Sequence, residues 1–159
     1  MKLIIAFLRL IRWPNLVFIA ITQWLFYFFV VESLQTVNEP VTISPSSENY
    51  LFYLLILASV LIAAAGYIIN DYFDINIDEV NKPERMVVDK VISRRWAIAW
   101  HFMLSTAGVL LTMLALPILG KWYLIAANIF CVTLLWFYST TFKRNLLIGN
   151  IAISLLTAW

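Results

Sequence analysis

Four stretches of this chain, Leu16 to Val31, Leu51 to Ile69, Ala97 to Leu119 and Trp122 to Phe137, contain no Asp, Glu, Lys or Arg. The hydrocarbon layer of a bilayer takes roughly 20 apolar residues per helix, so runs of this kind predict transmembrane helices. A mean hydropathy of +0.88, with 63% hydrophobic and 13% charged residues, excludes an ordinary soluble domain, because one small core could not bury that much apolar surface. The expected fold is an all-α membrane protein: a single polytopic domain over 1–159, without internal repeats or a Gly-xxx-Gly pair. A fifth run, Leu146 to Trp159, is still apolar at the last residue. It reads as the start of a fifth helix and the chain as a truncated one.

The charges fix an orientation. Basic residues are Lys2, Arg9 and Arg12 before the first run, none in the first connection, then Lys82, Arg85, Lys90, Arg94 and Arg95, then Lys121, then Lys143 and Arg144. This alternation follows the positive-inside rule and puts the amino terminus in the cytoplasm. The first connection, Glu32 to Asn49, is acidic and rich in Pro, Ser and Thr, and reads as a solvated outer loop. Met1 to Arg12 lacks a cleavage site and has Leu3, Phe7, Leu10 and Ile11 at helical spacing, so an amphipathic helix in the cytoplasmic interface is expected there. Trp13-Pro14 then turns the chain into the membrane. The expected location is the plasma membrane of a bacterium. The single Cys131 excludes an intramolecular disulfide and a multi-cysteine metal site.

The chemistry gathers between Gly66 and Arg95. Asn70, Asp71, Asp74 and Asp78 follow the second run, and their spacing lets all of them line one helical face if the helix continues. Like charges so placed repel, and near a membrane they are costly and commonly functional. A hard divalent cation offsets that repulsion: Mg2+ takes carboxylate oxygens and is usually completed by substrate phosphates. Calcium binding of the EF-hand kind fails, since a loop starting at Asp74 has Glu79 where Gly is required and Arg85 where Glu is required. Lys82 and Arg85 suit phosphate oxygens but also satisfy the positive-inside bias, whereas Arg94 and Arg95 read as topological and Ser93 as a helix cap.

Asn70-Asp71-x-x-Asp74-x-x-x-Asp78, with Asn81-Lys82-Pro83-x-Arg85 after it and Arg12-x-Pro14-Asn15 before the first helix, resembles the UbiA family of intramembrane prenyltransferases. Tyr138-Ser139 and Lys143-Arg144 suit that family's second cytoplasmic connection. The resemblance implies a bundle of about nine helices around a cavity and Mg2+-assisted departure of diphosphate from a polyprenyl diphosphate donor. It implies that Asp71, Asp74 and Asp78 are catalytic metal ligands, that Asn70, Lys82 and Arg85 contact the diphosphate, and that Asn15 lines the same cavity. Within the family the motif looks most like the geranylgeranylglycerol-phosphate geranylgeranyltransferase subgroup. That implies geranylgeranyl diphosphate as donor and an amphipathic lipid-pathway acceptor, with an aromatic acceptor as the alternative. The family also has a second aspartate cluster, yet no Asp or Glu follows Asp89, so residues 1–159 alone are expected to be inactive.

Functions of other classes have less to stand on. A cation pathway needs ionisable groups within the spans, where the sequence offers only His101, expected to be a packing residue. A non-catalytic scaffold would leave the aspartates without purpose. The expected partners are therefore prenyl diphosphate, acceptor and membrane lipid, and not nucleic acid.

Overall fold

The computed structural model describes residues 2–31, 45–81, 83–84, 86–119 and 122–158. Helix α1 (Lys2–Leu10) is followed by α2 (Trp13–Phe26), which a π-helical turn extends over Tyr27–Val31. Then come α3 (Pro45–Phe73), the short α4 (Ile75–Asn81), α5 (Arg94–Leu119), α6 (Tyr123–Thr140), a 3-10 turn at Phe142–Arg144, and α7 (Leu146–Ala158). No β-strand occurs among the described residues; one isolated bridge joins Val88 to Ile92.

Four of these helices are long and apolar enough to cross a membrane, over Trp13–Val30, Tyr50–Phe73, Arg94–Ala115 and Tyr123–Thr140. The protein is an all-α membrane protein. Its spans keep many large apolar side chains exposed, among them Phe18, Phe26, Leu114 and Phe130, as hydrocarbon solvent permits and water does not.

The helices run further than the uncharged runs. α3 starts at Pro45, so residues 45–49 are helical where a loop was expected; 32–44 lie outside the described residues. Proline suits the first turn, and no breaker follows it. At the other end α3 passes Ile69 and continues through Asn70 to Phe73. Polar side chains end a hydrophobic run without ending the backbone ladder, because main-chain bonding does not depend on hydropathy. α5 begins at Arg94, and the carbonyl of Ser93 accepts the Ala97 N–H at 3.0 Å, as the residue capping that helix should.

α3 is the hub, packed chiefly on α5 and also on α6 and α2. Gly108 of α5 makes the closest approach: a Cβ there would lie 2.7 Å from Ile62 Cγ1 and 2.9 Å from the Ala58 carbonyl oxygen. The backbone oxygen cannot swing aside, so Gly108→Ala forces the two helices apart. The substitution is expected to destabilise the protein by about 1–3 kcal/mol, the usual cost of overpacking. Thermal unfolding in detergent micelles checks this, and an unchanged midpoint would contradict the close contact.

A second core forms on the basic side of the bundle. Ala6 and Leu10 of α1, Ile68 of α3, Ile75 of α4, Val87, Val88 and Ile92 of the connection, and Ala97 of α5 bury one another. Phe7 of α1 adds a ring contact with Trp100 of α5, centroids 4.7 Å apart. Thus α1 is amphipathic, as its periodicity required, and it is docked by one face while Leu3, Ile4, Ile5 and Leu8 stay exposed. This core holds α1, the end of α3 and the 86–93 segment as walls of one cleft.

Candidate functional site

The cleft has a volume of about 650 Å³, and its lining includes Arg9, Arg12, Asn15, Asp71, Asp78 and Glu84. The chain reverses between α1 and α2 through Arg12, whose φ of 52° is in the left-handed region. A residue with a Cβ is held there at a cost of about 1–3 kcal/mol, and such strain persists only where surroundings fix it. Here they do. Arg12 Nη2 donates to Asp71 Oδ1 at 2.9 Å, and the guanidinium carbon stands 5.1 Å from the centroid of the Tyr67 ring. Asn15 Nδ2 donates to the Tyr67 hydroxyl at 3.4 Å. Tyr67 is one helical turn before Asp71, so a single face of α3 presents ring and carboxylate together.

Main-chain bonding carries the helical path through the motif. Asp74 N–H donates to the Asn70 carbonyl at 3.0 Å, and Asp78 N–H to the Asp74 carbonyl at 2.8 Å. At 100° per residue Asp71 and Asp78 point the same way to within about 20°, whereas Asp74 is turned about 60° from Asp71. The outcome follows that angle. Asp71 and Asp78 line the cleft, while Asp74 accepts from Lys143 Nζ, on the turn after α6, through Oδ1 and from Asn70 Nδ2 at 2.9 Å through Oδ2. Asp71 and Asp78 thus line the cleft, while Asp74, expected with them on one ledge, is tied to Lys143 on the turn after α6.

Among the described residues no three His, Cys, Asp or Glu side chains come close enough to hold a metal without help. Two carboxylates in an open cleft instead suit an ion such as Mg2+, whose remaining positions are filled by water and phosphate oxygens. Lys82 and Arg85 lie outside the described residues. His101 is away from the cleft: it is 1% exposed, its Nδ1–H donates to the Ala65 carbonyl at 2.9 Å, and its ring packs 5.4 Å from Trp136. That is a packing role, as expected.

Sequence reasoning gave Arg12 and Lys143 no site role of their own and passed over Tyr67. Arg12 and Lys143 stand in motifs of the family resemblance and in the alternation of basic residues, but their carboxylate partners lie 59 and 69 residues away along the chain. Tyr67 alone carried a local signal, its one-turn offset from Asp71.

The family model described as the UbiA prenyltransferase family matches residues 40–159. The chain belongs to the UbiA prenyltransferase family. Among its relatives in that family, digeranylgeranylglyceryl phosphate synthase of Methanosarcina barkeri is 36% identical over 157 residues, covering 96% of this chain and 51% of the relative. The synthase of Sulfolobus acidocaldarius is 31% identical over 154 residues, with 96% and 49% covered. A solved structure of digeranylgeranylglyceryl phosphate synthase in membranes matches with a TM-score of 0.77 at 25% identity, covering 99% of this chain and 50% of that one. The chain spans about half the length of the relatives it matches.

Proposed function

We propose that this protein transfers a geranylgeranyl group from geranylgeranyl diphosphate to an amphipathic lipid acceptor of the geranylgeranylglyceryl phosphate class, in a Mg2+-dependent reaction. One polytopic domain includes 1–159, and its cleft faces the cytoplasm from the plasma membrane. The observation that carries this reading is the meeting of Asp71 and Asp78 with Arg12 and Asn15 in one cleft at the end of the apolar span of α3. The names of the relatives support the lipid acceptor. Those relatives are archaeal, which gives no support to a specifically bacterial membrane.

Donor chemistry sets what the cleft must do. The allylic C–O bond breaks, diphosphate departs with the electron pair, and the prenyl carbocation is captured by the acceptor hydroxyl, which passes its proton to the departing diphosphate. Asp71 and Asp78 are the residues that would hold Mg2+, with Asp74 supporting them. When bound, the ion neutralises charge on the leaving group as a Lewis acid. Arg12 supplies fixed positive charge beside it, and the Tyr67 face and Asn15 hold the Arg12 side of the cleft in shape. Asn70 keeps Asp74 oriented, and Lys82 and Arg85 are assigned to the diphosphate by their place in the motif.

The test uses the native full-length protein in lipid nanodiscs, with labelled geranylgeranyl diphosphate and geranylgeranylglyceryl phosphate. Transfer is expected with Mg2+, to be lost on chelation and restored by added Mg2+. Transfer undiminished by chelation would refute the metal assignment, and transfer to 4-hydroxybenzoate but not to the lipid phosphate would refute the acceptor.

A further inference from the structure

A geranylgeranylglyceryl phosphate acceptor brings a phosphate of its own, so the site must place two phosphate-bearing headgroups, and the Mg2+-binding wall accounts for one. Among the described residues two arginines line the cleft. Arg12 is committed, ion-paired with Asp71 and set against the Tyr67 ring. Arg9, on the last turn of α1, lines the same cleft, is exposed, and makes no ion pair with a carboxylate among the described residues. Its helix is docked through Ala6 and Leu10 and leaves Leu3, Ile4, Ile5 and Leu8 exposed, apolar side chains suited to the membrane interface. A phospholipid-like acceptor with its chain in hydrocarbon keeps its phosphate at that same depth.

We infer that Arg9 binds the phosphate monoester of the lipid acceptor, making α1 the element that selects a phosphorylated acceptor. This rests on the prenyl-transfer reading above. A guanidinium is matched to a phosphate by its planar fork, and it stays charged at any physiological pH. The helix carboxyl end also favours a cation at Arg9, but that needs no cleft-facing position. Lining the same cleft as Asp71 and Asp78 but paired with neither, Arg9 would give the acceptor phosphate a ligand of its own, so that two anions share the cleft without sharing ligands.

The experiment compares unsubstituted protein with R9Q and R9K in nanodiscs, at saturating donor. The phosphorylated acceptor is read by its KM and its dephosphorylated counterpart by its Ki as a competitor. For R9Q the acceptor KM is expected to rise about tenfold or more, the scale of one lost charge-assisted hydrogen bond. The Ki of the dephosphorylated lipid and the KM for geranylgeranyl diphosphate should stay within about twofold, with R9K intermediate in acceptor KM, because lysine keeps the charge and loses the fork. An unchanged acceptor KM, a parallel rise for both lipids, or a rise in donor KM instead would overturn the assignment while leaving prenyl transfer standing. Absence of transfer by the unsubstituted protein would overturn the functional reading, and this inference with it.

Discussion

Asp71→Ala is expected to lower prenyl transfer by about 100- to 1000-fold, the range seen when one preorganised electrostatic contact to a developing charge is removed. Two effects coincide at this side chain. The carboxylate is one of the two from α3 and α4 that line the cleft, and it also fixes Arg12, whose guanidinium is held at 2.9 Å by Asp71 Oδ1. On the proposed reading its loss would weaken metal binding and release the cation that faces the leaving group. Asp71→Asn separates the two: the amide oxygen still accepts from Arg12, but the negative charge is gone.

If the metal is what matters, Asn fails nearly as badly as Ala, and excess Mg2+ restores part of the activity to either variant. If anchoring Arg12 is what matters, Asn recovers most of the rate. Membrane insertion should survive both changes, because Asp71 is 24% exposed in its side chain and is not part of the core that docks α1. Transfer rates within a few-fold of the unsubstituted protein, with insertion intact, would remove Asp71 from the mechanism.

What the sequence made legible here divides by range. The spans were readable because bilayer thickness imposes a length on every apolar run, and the run from Leu51 to Ile69 lies wholly inside α3. The ends of the helices were not, since Asn70 to Phe73 keep the same main-chain bonds as the apolar residues before them. The aspartate spacing was readable too, because three, four and seven are helical intervals. Its consequence was only half readable: the turn of about 60° that takes Asp74 out of line follows from 100° per residue, but what waits there, Lys143, is brought by the return of α6. Arg12 was hidden for a related reason. Positive charge at a cytoplasmic helix end is expected of any membrane protein, so Arg12-x-Pro14-Asn15 marked the segment without showing that the arginine itself would meet Asp71.

Removing Lys143 should cost more stability than removing any other ion-paired cation among the described residues. Its side chain is 15% exposed and that of Asp74 19%, so neither group is well hydrated, and their contact joins the end of α3 to the end of α6. A low-dielectric pair of this kind adds little over an apolar replacement of both partners, yet breaking it from one side strands a charge. Among the described residues Lys143→Met leaves Asp74 with Asn70 alone, at an expected cost of about 2 kcal/mol, between an exposed pair and a broken buried one. Asp74→Asn in that background removes the stranded charge, so the double variant should be more stable than Lys143→Met by about 1–2 kcal/mol. Unfolding midpoints of the four proteins in one detergent give the coupling directly. Strict additivity, or a Lys143→Met protein as stable as the unsubstituted one, would mean that the α3–α6 tie carries no stability and that Asp74 is held for the reaction alone.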